Sequence, residues 1–216
     1  MSAMKNKKSS ELYSRSYQCE IRTDNADEKE AVIIGRPIVF DSKTDIGGYF
    51  EEVIDRGALD KTDLTDVRFL VNHDISKIPL ARSRKNTVNS TMQLLPDNDG
   101  LAIRVKLDTE NNADAKALYS AIERGDISGM SFMFAVDTEE WENLKSDYPT
   151  RHIKSISKIV EVSAVTFPAY KDTSIAVNAR DKSALDNARL AVDTARKSVD
   201  TDIELQKAKN RVLGGM

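Results

Sequence analysis

Three shortages limit what this chain of 216 residues can be. It contains one cysteine, Cys19, and two histidines, His73 and His152. A single thiol cannot form an internal disulfide, and this set is too small for the cysteine and histidine ligands of a zinc site. No apolar run approaches the ~20 residues that a membrane-spanning helix needs. We therefore expect a reducing compartment, no metal and no membrane partner.

The charge is nearly balanced, and no broad basic surface is expected. The 32 Lys and Arg residues are interspersed with 35 Asp and Glu residues, for a net charge of -3. Without a positive face, a role in nucleic-acid binding is disfavoured. A basic cluster at residues 5–8 is not followed by an apolar segment, so it does not predict a secretory signal. We also find no glycine-rich phosphate loop and expect no cofactor.

Composition divides the chain into three parts. Residues 1–15 are polar and predict a mobile arm, and residues 16–178 carry the apolar segments of one folded domain. From residue 179 to residue 216 alanine and charged residues dominate, and a thin apolar stripe predicts a tail that is helical or disordered. The stripe consists of Leu185, Val192, Val199, Ile203 and Leu205.

The domain shows both strand and helix patterns, which predicts an α+β fold. Two alternating segments around the turn residues 96–100 predict a hairpin. A helix follows it, capped by Asn111 or Asn112 and ended by Gly125. The polar residues 137–150 predict a surface loop. The buried stripe of the helix is expected to be Ala115, Leu118 and Ile122.

Three predicted strands each carry one polar residue in an apolar setting: His73, Ser131 and Glu161. Taken singly, each is more simply a satisfied core residue or half of a salt bridge. Taken together, they are the residue types of a nucleophile, its base and a group that orients the base. One alternative nucleophile stays open, Ser128, which precedes Gly129 and more simply belongs to the turn. No Gly-x-Ser-x-Gly motif is present, which disfavours an α/β-hydrolase.

Four segments, in this order, resemble the prohead maturation proteases of HK97-type tailed phages. The resemblance covers roughly residues 17–175, and one methionine, Met133, stands where the family often has glycine. The segments are Tyr49–Ile54 with Gly57–Leu59, then Val71–Asp74, then Gly129–Phe134, and finally Val160–Tyr170.

The resemblance implies a mostly antiparallel β-barrel flanked by helices, as in the herpesvirus assemblins, and a serine endopeptidase. In that family's pattern His73 is the general base, Ser131 the nucleophile and Glu161 the orienting acid. Assemblins use a second histidine in the third role, which keeps His152 open. The implied partners are scaffold and the major capsid protein precursor, and a homodimer is the oligomeric state that the assemblins suggest.

The same resemblance implies a place and a fate for the chain. The enzyme would act in the host cytoplasm, inside the assembling procapsid, and would also cleave itself. For the tail from residue 179 we add a hypothesis of our own, that it binds capsid or scaffold helices and is later removed by self-cleavage. The alternative is a non-catalytic scaffold or capsid-assembly protein on the same fold, in which the three polar residues are structural.

Overall fold

The computed structural model describes residues 12–17, 21–24, 30–166 and 179–213. These ranges contain strands and two helices, so the predicted α+β class is confirmed. In chain order the elements are β1 (Leu12–Tyr17), β2 (Ile21–Asp24), β3 (Ala31–Val39), β4 (Lys43–Ile46), β5 (Phe50–Ile54), β6 (Asp66–Val71), β7 (Ala81–Arg84), β8 (Met92–Asp97), β9 (Gly100–Leu107), α1 (Ala113–Glu123), β10 (Gly129–Glu142), β11 (Thr150–Val165) and α2 (Ala179–Leu213).

The strands form two sheets. The larger has seven strands in the order β1-β10-β11-β5-β4, and β6 extends it by pairing with both β11 and β7. The smaller has four strands in the order β2-β3-β9-β8. Pairing is antiparallel except where β11 runs parallel to β5 and β6. This matches the expected antiparallel character, and closure into a barrel stays a prediction.

The β8–β9 hairpin and helix α1 are confirmed as predicted. Asn112 is the N-cap of α1, and its side chain accepts hydrogen bonds from the backbone N–H groups of Asp114 and Ala115. Gly125 follows the helix at φ +78°, a left-handed conformation that glycine adopts without a Cβ clash. The buried residues of the helix are Ala115, Leu118 and Ile122.

The surface loop predicted for residues 137–150 is wrong for much of that range. Strand β10 continues to Glu142 and β11 begins at Thr150, so only residues 143–149 connect them. Part of the charge here is paired within the sheet, because the buried Arg151 bonds with Glu139 as well as with Glu52. Asp137, Glu140 and Glu142 are exposed. Charge alone therefore gave the wrong structure for this stretch.

The mobile arm predicted for residues 1–15 is also wrong at its end, where residues 12–15 belong to β1. Tyr13 and Arg15 are 7% and 8% exposed. The Tyr13 ring packs against Phe134, and the Arg15 guanidinium forms two hydrogen bonds with Glu52. These partners lie far along the chain. Residues 1–11 and Cys19 lie outside the described residues.

Residues 179–213 of the tail form the long helix α2. The first half of this helix contacts the end of the β10–β11 hairpin. Ala188 and Val192 pack with Phe50, and Trp141 packs against the same cluster. Arg196 donates hydrogen bonds to two backbone carbonyls of the 143–149 connection. Neither helix in the described ranges is long and apolar enough to cross a membrane.

Candidate active site

Ser131 lies on β10, between β1 and β11, and is fully buried. Residues 130, 132 and 134 are apolar and belong to the main hydrophobic cluster, so alternation along the strand turns Ser131 toward the opposite face. On β11 its direct partner is Ser163, and on β1 it is Ser16. The apolar strand predicted around Ser131 therefore places one hydroxyl on the other face of this sheet.

His73 lies in the turn just after β6. Both Asn72 and His73 have positive φ angles, 52° and 57°. Such angles are uncommon for residues with a Cβ and need compensating contacts. The Asn72 side chain supplies two of these contacts, since its oxygen accepts from the Thr166 N–H at 2.9 Å and its amide donates to the Thr166 hydroxyl at 3.0 Å. The backbone N–H of His73 donates to the Ser163 hydroxyl at 3.1 Å.

The three predicted residues meet at the His73 imidazole. Its Nε2 is 2.5 Å from Ser131 Oγ, and its Nδ1 contacts Oε1 of Glu161. Glu161 is 2% exposed, and its second oxygen, Oε2, accepts a hydrogen bond from Ser163 Oγ at 2.6 Å. Residues from strands β10 and β11 and from the turn after β6 thus form one chain of hydrogen bonds.

This arrangement is suited to proton transfer from the hydroxyl. When Nδ1 carries the proton and donates it to Glu161, Nε2 presents a lone pair to Ser131. The carboxylate then stabilises the imidazolium that forms when Nε2 takes the Ser131 proton. The geometry therefore suits activation of the Ser131 hydroxyl by the His73 imidazole.

Neither sequence alternative enters this cluster. Ser128 lies in the exposed segment that precedes β10. His152 contacts Asp55 at 2.8 Å and Glu142 at 3.7 Å. It lies nine residues before Glu161 on the same strand, where β11 pairs with β5, whereas Glu161 lies where β11 pairs with β6.

Residues of strand β1 lie against the Ser131 hydroxyl and the His73 imidazole. Ser131 Oγ also lies 2.8 Å from the Arg15 carbonyl oxygen, which can accept its proton, and Ser14 Oγ lies 3.0 Å from His73 Nε2. The side chain of His73 is 18% exposed, whereas Ser131 is 0% exposed. The imidazole thus reaches the surface, whereas the hydroxyl is enclosed by neighbours that include Ser14 and Arg15 of β1.

A buried ion network anchors this covering strand. Glu52 bonds with Arg15 and also with Arg151, whose guanidinium reaches Glu139 as well. Burial by itself raises the pKa of Glu52, but the attraction of the two guanidinium groups outweighs it and holds that pKa below its ordinary value. The same carboxylates raise the pKa of Arg151 despite its burial. Glu52 therefore stays ionised and ties β1 to β5.

Sequence reasoning missed the residues that support the three predicted ones. Ser163 had a usable signal, because residues two apart on a strand share a face and Glu161 was already a candidate. Ser14 and Arg15 had none, since they stand in a stretch whose composition predicts an arm. The described residues contain no group of three or more His, Cys, Asp or Glu that could hold a metal ion.

Comparison with known proteins identifies the family. A family model described as caudovirus prohead serine protease matches residues 17–188, which is most of the chain. No curated protein and no solved structure matches. Strand β1, apart from Tyr17, precedes the matched region, whereas His73, Ser131 and Glu161 all lie inside it. This chain belongs to the caudovirus prohead serine protease family.

Proposed function

We propose that this chain is a serine endopeptidase that cleaves scaffold and capsid precursor proteins, and itself, during prohead maturation. The observation that carries the proposal is the continuous contact from Ser131 through His73 to Glu161. Family membership supports a protease that acts in the assembling procapsid inside the host cell. Scaffold and capsid precursor as substrates, and cleavage of the chain itself, are proposals that go beyond family membership.

In the proposed acylation step, Ser131 Oγ attacks the carbonyl carbon of the scissile peptide bond. His73 Nε2 takes the hydroxyl proton as the new C–O bond forms, and Glu161 stabilises the resulting imidazolium. Collapse of the tetrahedral intermediate breaks the C–N bond. The imidazolium gives its proton to the leaving amine, and the acyl group stays on Ser131.

Deacylation repeats the sequence with water. His73 removes a proton from a water molecule, which attacks the ester carbon of the acyl-enzyme. The C–O bond to Ser131 breaks, and the proton returns to Oγ. The enzyme is regenerated, and the new carboxyl end of the substrate leaves.

Either step requires the cover on Ser131 to move, because its Oγ is enclosed by β1. A shift of the segment containing Ser14 and Arg15 frees the Oγ proton from the Arg15 carbonyl and frees Nε2 from the Ser14 hydroxyl. It also exposes backbone groups of β10 that an extended substrate could use as an added strand. We propose that the covered form is a resting state.

The proposal is tested by treating the purified full chain with a fluorophosphonate probe and, separately, with capsid precursor and scaffold. We expect mass spectrometry to find the phosphonate on Ser131 and discrete fragments of both proteins. Absence of label together with intact precursor would contradict the protease and favour the non-catalytic assembly protein. The complete burial of Ser131 is the observation on which that second candidate rests.

We further propose that α2 brings the protease into the prohead by binding helices of the capsid precursor or scaffold. The first part of its apolar stripe is already buried within the chain, because Ala188 and Val192 pack on Phe50. Val199 continues the same stripe seven residues after Val192 and is 39% exposed. Ile203 follows four residues later and is partly exposed. This second half of the stripe is therefore the proposed binding surface.

Replacing Val199 and Ile203 together with aspartate should reduce incorporation into proheads while peptide cleavage in solution is retained. Two charges on the apolar stripe disfavour burial against a partner helix. The measurement is the amount of protease in purified proheads, by immunoblotting. Aspartates at the exposed Ser198 and Thr201 serve as the control of equal charge. Equal incorporation of both double variants and the wild type would rule out this surface.

A further inference from the structure

Ser163 makes two contacts with the proposed catalytic residues through a single hydroxyl. It donates to Oε2 of Glu161 at 2.6 Å and accepts from the backbone N–H of His73 at 3.1 Å. The residue is fully buried and lies directly across the β10–β11 pair from Ser131. We propose that Ser163 is a positioning residue, which sets the places of both the carboxylate and the imidazole. The inference rests on the proposed proteolytic function.

The contact with Glu161 determines which way the carboxylate faces. A carboxylate has two oxygens, and here Oε1 contacts His73 Nδ1 while Oε2 is held by Ser163. Without a donor at Oε2, a buried oxygen would lose its partner, and rotation of the carboxylate would draw Oε1 away from the imidazole. The Ser163 hydroxyl therefore keeps one oxygen directed at Nδ1.

The contact with His73 fixes the backbone position from which the imidazole side chain projects. Two successive residues of this turn, Asn72 and His73, hold positive φ angles, and such strain persists only where the surroundings fix it. Thr166 holds the Asn72 side chain, and Ser163 holds the His73 N–H. A hydroxyl suits both tasks because it donates and accepts at once, which neither alanine nor a thiol does as well.

The experiment compares Ser163→Ala, Ser163→Cys and Ser163→Thr with the wild type, using a fluorogenic peptide. We expect kcat to fall about 10- to 100-fold in the alanine and cysteine variants, the loss expected for one hydrogen bond to a charged group. KM should change much less, because Ser163 acts through Glu161 and His73 in this proposal. Threonine, which retains a hydroxyl, should restore most of kcat. Cysteine keeps the size of the side chain, so a cavity cannot explain its loss.

A matched control removes an equally buried hydroxyl elsewhere. Ser83 is also 0% exposed, and its hydroxyl has no hydrogen-bond partner among the described residues. Ser83→Ala should leave kcat unchanged. Thermal melting of every variant identifies any that fails to fold.

A second readout does not depend on turnover. The Nδ1 proton shared by His73 and Glu161 should give a low-field proton resonance, assigned by its absence in His73→Gln. We expect Ser163→Ala to shift or remove this resonance, and Ser163→Thr to retain it. An unchanged resonance, or an unchanged kcat in an active enzyme, overturns the positioning role. If the wild type cleaves nothing while the resonance still depends on Ser163, the proposed function fails and the positioning role stands.

Discussion

Ser131→Ala is expected to abolish processing of capsid precursor and scaffold, with kcat lowered by at least about 10³-fold. In the proposed mechanism the variant removes the atom that forms the acyl-enzyme. In serine proteases the loss of the nucleophile removes nearly all of the contribution of the triad. The measurement is fragment release from purified precursor, followed by gel electrophoresis and mass spectrometry.

Ser128→Ala is the matched control, because Ser128 is the other serine that the sequence offers as nucleophile. It lies in the exposed segment before β10, so its loss should leave cleavage at the wild-type rate. Full processing by Ser131→Ala would refute the assignment. Loss of processing in Ser128→Ala alone would transfer the role to that residue.

Glu52→Ala is expected to destabilise the protein by about 3 to 5 kcal/mol, the usual cost of removing one partner from a buried ion pair. The variant leaves Arg15 without its carboxylate partner and Arg151 with Glu139 alone. Urea unfolding followed by circular dichroism measures the loss. Glu51→Ala, on the same strand, is the control, because Glu51 pairs with the exposed Lys43 and such surface pairs contribute about 1 kcal/mol or less.

The same network predicts how stability depends on pH. Because the folded state holds the pKa of Glu52 below its unfolded value, the residue contributes stability above that unfolded value, about 4.3, and loses it as pH falls through the folded pKa. The stability difference between wild type and Glu52→Ala should therefore narrow on acidification below about pH 4. A constant difference across that range would show that the charge of Glu52 is not what stabilises the strand.

Much of the fold could be predicted because its signals are local. The Asn112 cap, the apolar spacing of α1 and the turn between β8 and β9 each depend on residues within a few positions of one another. The alternation of side chains along β10 and β11 also predicted which face of its strand each of Ser131 and Glu161 occupies. Local backbone geometry determines these features, so the amino-acid order is sufficient for them.

The errors arose where long-range partners override composition. Residues 12–15 are polar enough to predict an arm, yet Tyr13 and Arg15 are buried against Phe134 and Glu52. Residues 137–150 are rich in acids, yet Arg151 neutralises part of that charge within the sheet. A charged side chain is therefore a poor predictor of exposure when a residue distant in sequence can pair with it.

The amino-acid sequence alone determined the β8–β9 hairpin, helix α1, the α+β class and the identity of three chemically apt residues on three separate segments. Tertiary structure alone decided that these residues meet, that β1 encloses the hydroxyl and that Ser163 joins Glu161 to the His73 turn. The reason is that strand pairing brings together residues far apart in sequence, such as Ser131 with Ser163, 32 positions away, and with Arg15, 116 positions away. Hydrogen bonds act over about 3 Å of space, and separation along the chain does not report that distance.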